Sequence, residues 1–199
     1  MSSSPPPSPA SASGPGAARK SLFISVCDPS ADLHAAKVIS RLKERAPDLE
    51  IWGMGGSAME AQGAQLLHNR AALAIVGILA VLRDFPQLWK VHHDLVRNIV
   101  ERKPDAVLLM DAGGFNLGFA SVVRKKTKDT PIVYFIAPQA WGSRPRRILS
   151  LKAAVTKMLV IFPFEEALYK SKGVNASFVG HPLTTRFTPD LKFSTREEF

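Results

Sequence analysis

The chain of 199 residues holds a single cysteine, Cys27. No disulfide can form within it, which excludes a small sulfur-stapled scaffold and suits a reducing compartment. Long hydrophobic runs are missing as well. The longest, Ala71 to Leu82, has 12 residues and falls short of the roughly 20 that a membrane-crossing helix needs. Acidic residues are scarce: 17 Asp and Glu stand against 26 Lys and Arg, a formal net charge of +9. That surplus draws anionic partners, whether a nucleic acid, an anionic membrane surface or a phosphorylated ligand. Neither a GxGxxG fingerprint nor a Walker sequence occurs, so the usual short signals for nucleotide binding are absent. The start of the chain has no charged segment leading into an apolar centre, as a secretory signal would.

What is present divides into a tail and a domain. Residues 1–19 are almost entirely Ser, Pro, Ala and Gly. Such a composition cannot offset the entropy of ordering, and the segment is predicted to be disordered. It is Ser-rich and free of acid, as transit peptides are, but its only arginine is Arg19, which argues against organelle targeting. From Lys20 onward, apolar runs alternate with helical patterns. Strands are predicted at Leu22–Cys27, Glu50–Met54, Ala106–Met110, Pro131–Ile136, Lys157–Ile161 and Ser177–Val179. Helices are predicted at Leu33–Arg45, Pro86–Lys103, Asn116–Lys126 and Phe164–Lys172. Strands that are apolar throughout, alternating with helices, imply a parallel sheet covered on both faces. The expected fold is therefore a doubly wound, Rossmann-like α/β domain over residues 20–185. Its ligands belong at the carboxyl ends of the strands, near the topological switch point.

The residues that follow the strands are thus the ones to read. After the first comes Cys27-Asp28-Pro29-Ser30-Ala31-Asp32. Ser30 or Asp32 could cap the next helix, or its first-turn N–H groups could meet a phosphate or sugar hydroxyl. Acidic neighbours raise a thiol pKa, so Cys27 reads as inert. After the second strand, Gly53-Met54-Gly55-Gly56-Ser57 is either a tight turn or a close backbone approach to a ligand. After the third, Asp111 stands where a general base could take a proton from a hydroxyl. Asn116 could cap the following helix and leave Asp111 free. The loop from Ala137 to Arg147 collects Gln139, Trp141 and Arg144 among further arginines. Arginine forks suit phosphate, stacking and charge suit a nucleic acid, and a solvated basic face is the plain alternative. The run Ala71–Leu82 is either a core helix or a membrane-facing patch. His181, in Gly180-His181-Pro182-Leu183, could be a ligand, an acid or a structural residue.

These loops, in this order, resemble the N-terminal half of the lipid A disaccharide synthase family, from about Ser21 to Leu183. The family's Gly-Glu-x-Ser-Gly-Asp-Leu-His loop stands here as Cys27 to His34. Its Gly-x-Gly-Gly and following Met match Gly53, Gly55, Gly56 and Met59. Its Asp-Ala-Pro-Asp-Phe-Asn matches Asp111, Ala112, Phe115 and Asn116. Its Pro-Gln-x-Trp and later Arg match Pro138, Gln139, Trp141 and Arg144, and its Pro-Phe-Glu matches Pro163, Phe164 and Glu165. Phe-Val-Gly-His-Pro-Leu is unchanged at Phe178 to Leu183. The chain departs from the family at Cys27, Asp28, Ala31, Ala80 and Gly114.

The resemblance implies the acceptor-side domain of a two-domain, B-type glycosyltransferase. The family's reaction joins UDP-diacylglucosamine to diacylglucosamine 1-phosphate, forming a β-1,6-linked disaccharide and releasing UDP, with no metal or cofactor. It implies Asp111 as the catalytic base, with Asp28 beside it. Substrate binding would fall to Ser30, Asp32, Gly55, Gly56, Met59, Asn116, Gln139, Trp141, Arg144, Glu165 and His181. Val76, Ile78, Leu79, Val81 and Leu82 would face the lipid substrates and the inner leaflet, making the protein cytoplasmic and peripheral. Residues 186–199 would lead toward a C-terminal donor domain or a split partner that these 199 residues lack. A non-catalytic module binding phosphorylated glycolipid or anionic membrane is the alternative. A nucleic acid is not an expected partner, since no nucleic-acid motif accompanies the charge.

Overall fold

A computed structural model describes residues 19–69, 78–136, 138 and 146–186. The tail over residues 1–18 and the segment 187–199 lie outside the described residues. The elements are β1 (Ser21–Val26), α1 (Pro29–Arg45), β2 (Glu50–Gly55), α2 (Ser57–Ala61), β3 (Gln65–Asn69), α3 (Ile78–Arg102) and β4 (Ala106–Met110). They continue with α4 (Asn116–Lys126), β5 (Ile132–Phe135), α5 (Arg146–Ala154), β6 (Lys157–Val160), α6 (Pro163–Ser171), β7 (Ala176–Phe178) and a 3-10 turn over Pro182–Arg186.

The strands form one seven-stranded sheet in the order β3-β2-β1-β4-β5-β6-β7. Every pairing is parallel. This is the doubly wound α/β fold that the alternation of apolar strands and helices implied. The chain winds outward from β1 to β3, then returns to lay β4 against the other side of β1. Successive strand residues face opposite layers, and both layers are apolar. Phe23, Trp52, Val107, Leu109 and Tyr134 pack with Leu95, Ile99, Phe119 and Leu151 of α3, α4 and α5. Ile24, Val26, Ile51, Leu108 and Met110 pack with Ala35, Ile39 and Met59 of α1 and α2. Burial on both faces is why these strands read as continuous apolar runs.

Several predicted bounds move. Helix α1 begins at Pro29 rather than Leu33, because a proline at the first helical position gives up only an N–H that would be unpaired anyway. Helix α3 begins at Ile78 rather than Pro86 and keeps Pro86 inside it. The preceding residues, Ile78 to Phe85, are helix-tolerant and include Leu, Ala and Arg, so helix is set up before the one hydrogen bond that proline forfeits. β3, α2 and α5 had no counterpart in the sequence reading. Among the described residues, no helix is long and apolar enough to cross a membrane.

Candidate active site at the sheet switch point

Val26 of β1 is in register with Met110 of β4. Cys27-Asp28 and Asp111-Ala112 therefore leave the sheet side by side, at the point where the order of winding reverses. A doubly wound sheet opens a ligand crevice there.

Asp111 is half-buried and has a backbone φ of 50°, and Ala112 follows at 49°. Two successive residues in the left-handed region are uncommon outside glycine, although Asp tolerates it better than most. The surrounding structure holds them there. Tyr134 Oη donates to the Asp111 carbonyl at 2.7 Å, and Asn116 Nδ2 donates to the same carbonyl at 3.1 Å. The Asp111 carboxylate accepts from the Ala112 N–H at 2.7 Å. Burial, and then the nearby Asp28 carboxylate, push the Asp111 pKa above its ordinary value. The Ala112 N–H and His34 pull the other way without cancelling the rise. A carboxylate whose charged form is disfavoured is a stronger proton acceptor once ionised.

Asp28, beside it, caps α1. Its Oδ1 accepts from the Ala31 N–H at 2.9 Å and from Ser30 Oγ at 2.7 Å. The cap is thus Asp28 rather than Ser30 or Asp32, and Ser30 is oriented by it. Cys27 follows the sequence reading: burial, then Asp28, push its thiol up to about 12, far from a reactive thiolate.

Asn116 opens α4, fully buried. Its Oδ1 accepts from Ser25 Oγ at 2.7 Å and its Nδ2 also donates to the Met110 carbonyl at 3.0 Å. It ties the end of β1 to the end of β4. It does not cap α4, which starts without a side-chain cap.

The other expected site residues fall elsewhere. Asp32 is buried, and its carboxylate meets the start of α2. Its carboxylate accepts from the N–H groups of Gly56 at 2.8 Å, Ala58 at 3.1 Å and Met59 at 3.3 Å. Gly55, Gly56 and Met59 are buried in the same cluster. A Cβ at Gly55 would strike the Met59 thioether, and one at Gly53, where φ is +148°, would strike the β1 backbone at Ile24. The glycines of this loop thus serve close packing within the fold. Glu165 is buried at the start of α6, where it accepts from the Phe162 N–H at 3.2 Å. His181 follows β7, the far edge strand, and its Nδ1 accepts from the Leu183 N–H at 3.2 Å. Gln139, Trp141, Arg144 and Val76 lie outside the described residues. Ile78, Leu79, Val81 and Leu82 lie on the first turns of α3, and their side chains are outside the described part.

Two contributors had no assigned role in the sequence reading. His34, near the start of α1, acts on Asp111 through its charge. Tyr134, fully buried in β5, holds the Asp111 peptide. Their effect depends on which strands adjoin β4, and local pattern does not report that. Among the described residues, no group of three or more His, Cys, Asp or Glu is placed to hold a metal ion.

A parallel sheet wound in this order is a Rossmann-like fold, the form that the N-terminal domain of a B-type glycosyltransferase takes. Comparison with known proteins is more specific. The profile of the family described as lipid-A-disaccharide synthetase matches residues 22–199, and the chain belongs to that family. It is 38% identical over 178 residues to a lipid-A-disaccharide synthase of Acidobacterium capsulatum, covering 89% of this chain and 43% of that protein. It is 37% identical over 177 residues to one from Myxococcus xanthus, covering 88% of this chain and 46% of that protein. It is 38% identical over 172 residues to one from Coxiella burnetii, covering 86% and 45%. The chain thus spans less than half the length of these relatives.

Proposed function

We propose that this chain is the acceptor-side half of a lipid A disaccharide synthase. It would bind diacylglucosamine 1-phosphate at the crevice between β1 and β4, with UDP-diacylglucosamine held mainly by a donor half, either a C-terminal domain or a separate partner chain. Asp111 takes the proton from the acceptor 6-hydroxyl. The freed oxygen pair bonds to the anomeric carbon of the donor sugar as that carbon's bond to UDP breaks. UDP leaves with the bonding pair, and the anomeric centre is inverted. Asp28 keeps Asp111 basic by charge repulsion, while Asn116 and Tyr134 are positioning residues that hold its peptide. Gln139, Trp141 and Arg144 would serve the phosphates, since guanidinium and amide donors match phosphate oxygens. The protein would work at the inner face of the membrane, where both lipid substrates lie.

The observation that carries this reading is the Asp111 carboxylate: at the switch point, half-buried, held in a strained backbone, with its pKa raised. The test joins the chain to the C-terminal half of the Acidobacterium capsulatum relative and follows disaccharide formation from the two lipid substrates. Asp111→Asn is expected to lower turnover by about 10²- to 10⁴-fold, the usual range for a general base, with an unchanged circular dichroism spectrum. Turnover within a few-fold of the parent would remove Asp111 from the role. A fusion that binds the acceptor lipid but forms no product would support a binding module instead.

A further inference from the structure

Helices α3 and α4 both run from the carboxyl edge of the sheet toward its amino edge, and between them lies a cavity of about 770 Å³. That size is within the usual range for a small-molecule site. Leu88, Trp89 and Val96 form one wall, and Phe115, Gly118 and Val122 the other. One end begins at Gly114 and Phe115, three and four residues beyond Asp111. The other end reaches Lys126, so the α4 side is about 18 Å long at 1.5 Å per residue. Among the described residues that line the cavity, Lys126 is the one lysine or arginine, and it is exposed at the far end. His92 presents its ring against Phe115 and Phe119, with centroids 5.8 and 5.3 Å away. Burial, and then His93, push its pKa down toward the neutral form.

Gly118 gives the groove its meaning. It sits inside α4, where glycine costs about 1 kcal/mol relative to alanine. Nothing in the fold requires it there. Its φ is not left-handed, and a Cβ would meet no atom of the described residues within 4 Å. At Gly114, in the turn before α4, a Cβ would likewise meet no atom of the described residues within 4 Å. Gly118, Val122 and Lys126 repeat at four-residue spacing and share one face of α4, and Gly114 lies in the turn that leads into it. The two missing side chains therefore leave an open floor. On the facing wall Trp89 is 57% exposed, an apolar surface that the core leaves uncovered.

We propose that this groove holds one acyl chain of the acceptor lipid, entering beside Asp111 and running along α4. The proposal rests on the reading of the crevice as the acceptor site. Continuity with the Asp111 loop selects the occupant. A sugar whose hydroxyl lies at Asp111 carries its acyl chains within reach of Gly114 and Phe115, and an elongated trough lined mainly by apolar side chains matches a hydrocarbon chain.

The test uses the 199-residue chain and hexyl, octyl, decyl and dodecyl glucoside, each below its micelle concentration. Binding is read from the tryptophan emission shift, with Trp89→Phe identifying the part that comes from the groove. Affinity is expected to rise about fourfold with each methylene buried. Gly118→Leu, which fills space that is empty, should abolish that dependence, and Gly114→Leu should weaken it. Both variants are checked for a melting temperature no lower than the parent's, since removing a glycine from the helix interior should if anything raise it. A flat series in the parent chain would overturn the proposal, because the groove would then be closed by protein or too shallow for a chain. A slope that persists in both glycine variants would also overturn it. Asp111→Asn should keep the full slope while losing transfer, so a failure of the groove and a failure of the base assignment give different results.

Discussion

At the scale of single residues, Asp111 combines two costs, a left-handed backbone and a disfavoured charge. The second has a sign that can be measured. Its pKa is raised on folding, so the folded protein binds the proton more tightly than the unfolded chain. The corresponding stability is fully present below the unfolded value and is lost as pH rises through the folded one. At neutral pH the ionised carboxylate therefore destabilises the fold. Asp111→Asn removes this charge while keeping a residue that tolerates positive φ. The variant should unfold at a higher urea midpoint than the parent at pH 7, and the gap should close near pH 4. An equal gap at both pH values would show that the carboxylate is not desolvated as described. Asp111 was legible in the sequence, because a lone acid at the end of an apolar strand stands out. Asp32 was not. Its three N–H donors lie 24, 26 and 27 residues further along, and no local pattern reports such a cap. The role of Asp28 was within reach, since Pro29 marks the first helical position and hence the cap before it.

At the scale of elements, three of the four non-glycine residues with positive φ among the described residues follow central strands, the fourth being Lys103 at the opposite edge. Asp111 and Ala112 after β4, and Ile136 after β5, all have positive φ, on the edge of the sheet where ligands bind. Such strain persists only where neighbours over-determine it. Two donors on the Asp111 carbonyl supply that here. Ala112→Gly should release part of the cost and stabilise the protein by about 1 kcal/mol. Differential scanning calorimetry should then show a melting temperature higher by roughly 2–4 °C. A lower melting temperature would mean that Ala112 carries no strain and glycine adds only chain entropy. The elements that sequence made legible are those with a strong apolar signature. β4 and α4 match their predicted bounds residue for residue. β3 escaped because Gln65–Asn69 is an edge strand with only two leucines and no buried residue. α2, with five residues, is too short to show a period, and α5 was hidden by the two arginines, Arg146 and Arg147, that open it.

At the scale of the whole molecule, the charge of +9 invites a membrane or nucleic-acid reading, yet much of it has a structural cause. Basic residues occupy the last turns of α1 (Lys43, Arg45), α3 (Arg102), α4 (Arg124, Lys125, Lys126), α5 (Lys152) and α6 (Lys170). Cations there complement the negative ends of the helix dipoles. These helix ends lie at the amino edge of the sheet, opposite the crevice. The apolar start of α3 lies at the other edge. A helix of 25 residues spans about 37 Å, whereas a strand of five or six residues spans roughly 17–20 Å. The first turns of α3, from Ile78 to Leu82, therefore reach beyond the carboxyl edge, on the side where the crevice opens. Docking through these turns would present Asp111 to the bilayer, whereas docking through the basic helix ends would turn it away. If the protein docks on a bilayer as proposed above, the expected contact is the apolar one. In co-sedimentation with phosphatidylglycerol vesicles, Leu79→Ser combined with Leu82→Ser should weaken binding by more than tenfold, since each buried leucine contributes about 1.5–3 kcal/mol. Lys125→Gln combined with Lys126→Gln should change it little. The residual binding of the parent at high salt, where charge attraction is screened to a few ångströms, should come from the apolar turns. If the lysine pair abolishes binding and the leucine pair does not, the amino edge is the membrane face, and the crevice must receive its lipid from a partner rather than from the bilayer.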